Sequence, residues 1–173
     1  MALHEQSIGA TDEWYTPPHV FRALNCIFDV DVASPGGHIT PWIPAKEFIT
    51  AGSLALEWRG FKWMNAPFGS RNGLVPWLSK FFSCGDGIAL VPDRTSAPWW
   101  QDFAPRADLV LFATPKIKFI GADGKTGDSP AQGTCLLASG GRAREALFCA
   151  AAAGLGTLMV PSHSFQQSSG ATE

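Results

Sequence analysis

Charge is scarce in this chain, and so are the marks of a membrane, metal or phosphate-loop protein. Asp, Glu, Lys and Arg make up only 16% of its 173 residues, against 46% hydrophobic residues, which excludes a disordered polyelectrolyte. No apolar run reaches the length of a membrane-spanning helix, and no basic-then-apolar leader opens the sequence, so a cytoplasmic protein of a bacterial host is expected. Cys26, Cys84, Cys135 and Cys149 lie far apart, as do His4, His19, His38 and His163. Neither set has the close spacing of metal ligands, so reduced thiols and no metal are expected. The doublet Gly140-Gly141 stands alone and carries no phosphate-loop signature.

Aromatic residues, in contrast, are plentiful: 7 Trp and 12 Phe, a surplus that suits a core or a surface for flat heterocycles. The length fits one domain, assigned to residues 1–161, able to bury about 70% of its unfolded surface. The Ser/Gln-rich stretch 162–173 is expected to be a disordered tail. A net charge of −2 argues at first against a polyanionic partner. Its distribution argues the other way: residues 1–58 hold two basic and seven acidic side chains, and residues 59–144 hold eleven basic and six acidic. Local potential, more than net charge, decides whether phosphates bind.

Periodicity divides the chain into alternating elements. Pro17-Pro18 opens a helix whose Val20, Phe21 and Leu24 share a face. Residues 27–33 read as a strand, 46–50 as a second and 61–64 as a third. Leu74, Trp77, Leu78 and Phe81 recur at helical spacing. Residues 87–91 form an apolar run suited to a strand buried on both faces. A helix over 96–104, strands over 109–113, 116–120 and 134–138, a helix over 142–152 and a last strand over 155–160 complete the series. Adjacent Trp99 and Trp100 cannot both face one pocket from a helix, so one is assigned to the core. Alternating strands and helices predict an α/β fold, a mostly parallel sheet with helices on both faces. Ligands of such sheets bind beyond the strands' carboxyl ends, where Asp31–Ser34 and Asn65–Phe68 fall and can share a cleft.

The segment Asn65-Ala66-Pro67-Phe68 carries the sharpest chemical signal. An exocyclic amine conjugated to a heterocycle is a poor nucleophile. Accepting its hydrogens with an Asn oxygen and a neighbouring backbone carbonyl favours the pyramidal nitrogen that can attack a methyl group. Pro67 fixes φ and the direction of those carbonyls, and Phe68 offers a face for an extruded base. The same residues also suit an ordinary strand-to-turn transition.

The chain resembles the phage-type (Dam-like) DNA N6-adenine methyltransferases. Trp14-Tyr15-Thr16-Pro17-Pro18, the run from Phe28 to Ser34, Trp58-Arg59-Gly60, the run from Trp63 to Gly69, the run from Val91 to Thr95 with Trp99-Trp100, the run from Lys116 to Phe119, and Ser129-Pro130 through Gly133-Thr134 follow the family's order over about residues 12–140. The resemblance implies a Rossmann-like fold and S-adenosylmethionine as methyl donor. It implies that Asn65, Ala66, Pro67 and Phe68 form the catalytic turn, and that Thr16, Pro17, Asp31, Ala33 and Ser34 line the cofactor site. Asp29 and Asp31 also suit the capping of loop amides. Relatives usually carry a second proline where Ala66 stands, and often an acidic residue near Gly52-Ser53-Leu54.

The function implied is methyl transfer to the exocyclic amine of an adenine flipped out of double-stranded DNA. Two alternatives remain open: a catalytically idle protein that binds cofactor or DNA, and a methyltransferase acting on RNA or a protein glutamine. Arg71, Arg94, Lys116, Lys118 and Lys125 are the candidate phosphate contacts, Lys116 and Lys118 sharing one strand face. Free loops are short, so a recognition site of at most about four base pairs is expected.

Overall fold

Proline opens three of the four helices, at the position where its missing N–H costs no helical hydrogen bond and its fixed φ is already correct. The computed structural model describes residues 14–69 and 73–162. In chain order its elements are β1 (Trp14–Tyr15), α1 (Pro18–Leu24), β2 (Phe28–Asp31), β3 (Ala45–Phe48), β4 (Lys62–Met64), α2 (Val75–Cys84), β5 (Gly87–Pro92), α3 (Pro98–Phe103), β6 (Leu109–Ala113), β7 (Ile120–Gly121), β8 (Thr134–Ser139), α4 (Gly141–Ala152) and β9 (Gly156–Met159). Helix α1 stops at Asn25, whose left-handed backbone (φ 49°) lets its N–H donate to the Phe21 carbonyl. The expected disordered tail, apart from Ser162, and the chain before Trp14 lie outside the described residues.

Seven strands form one sheet in the order β3-β2-β4-β5-β8-β6-β9. The neighbours from β3 to β5 are parallel; those from β5 through β8 and β6 to β9 are antiparallel. Five strands, β3, β2, β4, β5 and β6, run one way and two, β8 and β9, the other, so the sheet is mostly parallel as expected but mixed by two antiparallel strands. The reason lies between β6 and β8: no helical crossover intervenes there, and strands joined without one pair antiparallel.

Two hydrophobic cores cover the two faces. Val20, Phe21 and Leu24 of α1 and Ala143, Ala146, Leu147 and Ala150 of α4 pack on one face against Ile88, Leu90, Leu136 and Ala138. Leu78 and Phe81 of α2 and Trp99, Trp100 and Phe103 of α3 pack on the other, against Ala89, Val91, Cys135 and Leu137. The strand residues alternate between the faces as the pleat requires. Trp99 and Trp100 are both buried, correcting the assignment of only one to the core. Their rings meet edge to face, centroids 5.9 Å apart, so neighbouring Trp residues can fill one interior without sharing a pocket.

The expected strand over 116–120 is reduced to Ile120–Gly121, paired with β1 in a separate two-stranded sheet. Residues 116–119 keep the expected alternation, Lys116 and Lys118 outward and Ile117 and Phe119 buried, without a ladder partner. Alternation reports which side chains are buried; it does not supply a neighbouring strand.

Candidate active site

The route of the chain through the sheet creates the site. From β2 the chain moves outward to β3, then returns past β2 to β4 and continues in the opposite direction to β5. Strands β2 and β4 are thus parallel neighbours whose connections leave to opposite sides, a topological switch point, where open α/β sheets leave a crevice beyond the carboxyl ends. A cleft of about 700 Å³ lies there, lined by Thr16, Asp31, Ala33, Ser34, Asn65 and Pro67 among others. Two segments expected to share a cleft do share it.

Asp31 forms part of this cleft at only 1% exposure. Its Oδ1 accepts the Ala33 N–H at 3.2 Å, so the capping role read for it is real, and Ser34 continues the loop by accepting the Gly36 N–H at 3.0 Å. Burial pushes the Asp31 carboxyl up from 3.8 to about 6, against the opposing help of the Ala33 N–H and the Ser34 hydroxyl. It makes no ion pair among the described residues.

Asp29, two residues earlier, behaves oppositely. It takes Lys46 at 2.7 Å, the Phe61 N–H at 2.8 Å and Arg142 at 3.3 Å, and the Lys46 hydrogen bond leads the effects that bring its carboxyl down to about 2. The two aspartates are separated by a bulge: the N–H groups of Asp29 and Val30 both donate to the Phe61 carbonyl. Consequently Phe28 stacks on Phe61 in one core while Val30 packs with Trp58 and Met64 in the other. Strict alternation does not hold across this point, and only Asp31 reaches the cleft.

One wall is the turn after β3. Ser53 Oγ donates to the Val32 carbonyl at 2.5 Å, and Trp58 Nε1 donates to Ser53 O and Oγ, both at 2.9 Å. The Lys80 ammonium donates to the carbonyls of Ser53 and Leu54, each at 3.0 Å, and to that of Leu56, while lying 4.6 Å from the centre of the Trp58 ring. Trp58 in turn stacks on Trp77, which lines the cleft. The stretch Gly52-Ser53-Leu54, without an acidic side chain, forms part of this wall.

The opposite wall is Trp14-Tyr15-Thr16. Trp42 Nε1 donates to the Thr16 carbonyl at 2.9 Å. The Thr16 hydroxyl is buried and has no hydrogen-bond partner among the described residues, a costly state for a polar group beside a cavity unless a ligand relieves it. Asn65 Nδ2 donates to the Trp14 carbonyl at 3.1 Å. A carbonyl can only accept, so the amide nitrogen must face Trp14, which leaves Oδ1 as an acceptor with no partner among the described residues.

The remaining residues read from the sequence separate from the cleft. Pro17 is buried as the N-cap of α1 and its carbonyl receives the Val20 N–H at 3.1 Å; it does not line the cleft. Ala66 is 2% exposed in the second core, and Phe68 is 37% exposed, outside the lining. Arg71 lies outside the described residues. Arg94 donates to Gln132 Oε1 at 2.6 Å, and Lys116 donates to the carbonyls of Pro130 and Ala131 at 3.2 and 2.8 Å, so both grip the same 130–132 loop. Lys125 stands 3.8 Å from Asp123 on the turn next to β7, and Lys118 is exposed.

Trp14, Ser53 and Trp77 were not among the site residues expected. Trp77 counted as one member of an apolar helix face; its place early in the helix that follows β4 was the available signal, because that end of the helix lies at the strands' carboxyl side. Among the described residues no group of three His, Cys, Asp or Glu is placed to hold a metal, and no helix is long and apolar enough to cross a membrane. Comparison with family models, with curated proteins and with solved structures finds no match to this chain.

Proposed function

We propose that this protein is an S-adenosylmethionine-dependent methyltransferase acting on the exocyclic amine of adenine in double-stranded DNA. The observation that carries the reading is the pairing of two unlike groups in one switch-point cleft: a buried carboxylate, Asp31, without a cation among the described residues, and an amide, Asn65, whose oxygen has no partner among them. The cleft's volume is in the range of small-molecule sites.

The residues present fit the cofactor. Asp31 has no positive partner among the described residues and suits an ammonium or a pair of ribose hydroxyls; the orphaned Thr16 hydroxyl suits a polar ligand atom; Trp77 supplies a flat apolar wall. When bound, S-adenosylmethionine supplies a methyl group activated by its sulfonium. The chain's part is positioning. Asn65 Oδ1 accepts one N–H of the target amine, drawing the nitrogen lone pair out of conjugation as it attacks. Pro67 limits the turn to one φ, and the exposed Phe68 ring offers a stacking face to an extruded base. The amine proton becomes acidic as the nitrogen acquires charge and leaves to water, so no strong base is required. Holding donor and acceptor aligned is worth about 7–11 kcal/mol in such reactions.

Double-stranded DNA as partner rests on the basic side chains around the 116–132 segment, which is stitched by β7 to β1 at the wall of the cleft. A second reading, a protein that binds cofactor or DNA without transfer, draws on the position of Phe68 outside the cleft lining. Expression in a methylation-free host, with mass spectrometry of digested DNA, RNA and protein side by side, separates these readings. N6-methyladenine in DNA alone supports the first. Methyl incorporation confined to RNA or protein, or none at all from a protein that binds S-adenosylmethionine, refutes it.

A further inference from the structure

We propose that Trp14 is a positioning residue for Asn65 and that Gly127 is the seat that holds it. The inference rests on the methyltransferase reading for its consequence, though not for its geometry. The Trp14 carbonyl is the acceptor that fixes the Asn65 carboxamide, at 3.1 Å from Nδ2. Trp14 belongs to β1, which among the described residues pairs with β7, Trp14 opposite Gly121.

The ring lies against Gly127. A Cβ on Gly127 would stand 2.7 Å from Cζ3 and 3.1 Å from Cη2 of Trp14, closer than side chains pack, and 3.4 Å from the Phe119 carbonyl. Gly127 does not need glycine for its backbone: its φ lies outside the left-handed region, unlike that of neighbouring Gly124 at +76°. It is also anchored, its N–H donating to the Phe119 carbonyl at 2.8 Å. The two nearest atoms in the space above Gly127 both belong to the Trp14 ring. Glycine at 127 lets the indole sit down, the seated indole sets β1, and the β1 carbonyl turns the Asn65 oxygen toward the cleft. Gly127 itself does not line the cleft, so its effect on the target amine passes through Trp14.

The test is Gly127→Ala in the full chain, with Gly141→Ala as control, because a Cβ at Gly141 meets nothing within 4 Å. Two readouts are taken. The first is the pair of Asn65 side-chain amide signals in a nitrogen-15 NMR spectrum, assigned by their loss in Asn65→Ala. The second is single-turnover methyl transfer alongside cofactor affinity. Gly127→Ala is expected to move the Asn65 signals and to slow transfer by about 10- to 100-fold, the penalty of a misplacement near 1 Å, with cofactor affinity within about twofold. The Gly141→Ala control leaves the signals in place. In a Trp14→Phe background, which removes the outer ring atoms, Gly127→Ala should cost no more than about twofold. Should Gly127→Ala fail to fold, Trp14→Leu, which empties the seat, must move the same two signals. Unmoved Asn65 signals, or a Gly127→Ala penalty undiminished by Trp14→Phe, overturn the proposal. A wild-type protein that transfers no methyl defeats the functional reading instead, and the NMR readout still decides the geometry.

Discussion

Asp29 and Asp31 are the same residue type two positions apart, and the fold treats them as opposites. Asp29 is charged and doubly paired beneath the sheet; Asp31 is buried without a cation in the cleft. Raising a carboxyl in the folded state contributes stability that is present below its ordinary value of 3.8 and lost as pH rises through about 6. At neutral pH the charged Asp31 therefore opposes folding, by about 3 kcal/mol at most. Asp31→Asn keeps an acceptor for the Ala33 N–H and removes that charge. Thermal melts should show the variant near wild type at pH 4, gaining on it between about pH 4 and 6 and keeping that advantage above pH 6, while its affinity for S-adenosylmethionine falls. A cationic ligand favours the charged carboxylate, so wild-type affinity should rise as pH increases through 6 and then level off. A variant equally or less stable than wild type at pH 8 would contradict this account of Asp31. The sequence made Asp31 legible as a strand-end acid, but not its isolation, which depends on a bulge and on the absence of cations from distant segments.

At the scale of elements, Pro18, Pro76 and Pro98 near helix starts and the apolar run of β5 made most boundaries legible, because each reflects local sterics or simple burial. What was not legible was set by partners far away in sequence. Residues 116–119 alternate like a strand and have no ladder; β8 enters antiparallel between β5 and β6 because no helix crosses over before it. The turn over 52–56 is another such case, held by Lys80 from the next helix. Lys80→Met keeps the aliphatic stem and removes the ammonium from three carbonyls and the Trp58 ring. Partial exposure discounts the loss, so chemical denaturation should give about 1–2 kcal/mol less stability. Calorimetry should show weaker cofactor binding, since the turn is a cleft wall. Full cofactor affinity in a folded Lys80→Met protein would mean that this wall does not touch the ligand.

For the molecule as a whole, the proposed DNA partner would be held more by phosphate contacts than by reading of base edges. The segments not committed to the sheet and its helices are short, and two of the candidate cations, Arg94 and Lys116, already hold the 130–132 loop. Lys118 is exposed on the same segment. DNA affinity is expected to fall steeply with salt, and Lys118→Ala should reduce the slope of log affinity against log salt by about one unit, with a smaller change for Lys116→Ala. Equal slopes for Lys118→Ala and wild type would remove this segment from the DNA interface. A methylation map should give a short or relaxed site of at most about four base pairs.

The most direct measurement of the central claim compares wild type with Asn65→Ala in a methylation-free host, quantifying N6-methyladenine in digested DNA by mass spectrometry. Wild type should produce the modified base. The variant should bind S-adenosylmethionine within a few-fold of wild type and transfer about 10²–10³-fold more slowly, as for loss of one acceptor or donor aimed at the transition state. N6-methyladenine at wild-type levels from Asn65→Ala, or none from a wild-type protein that binds the cofactor, would contradict the account.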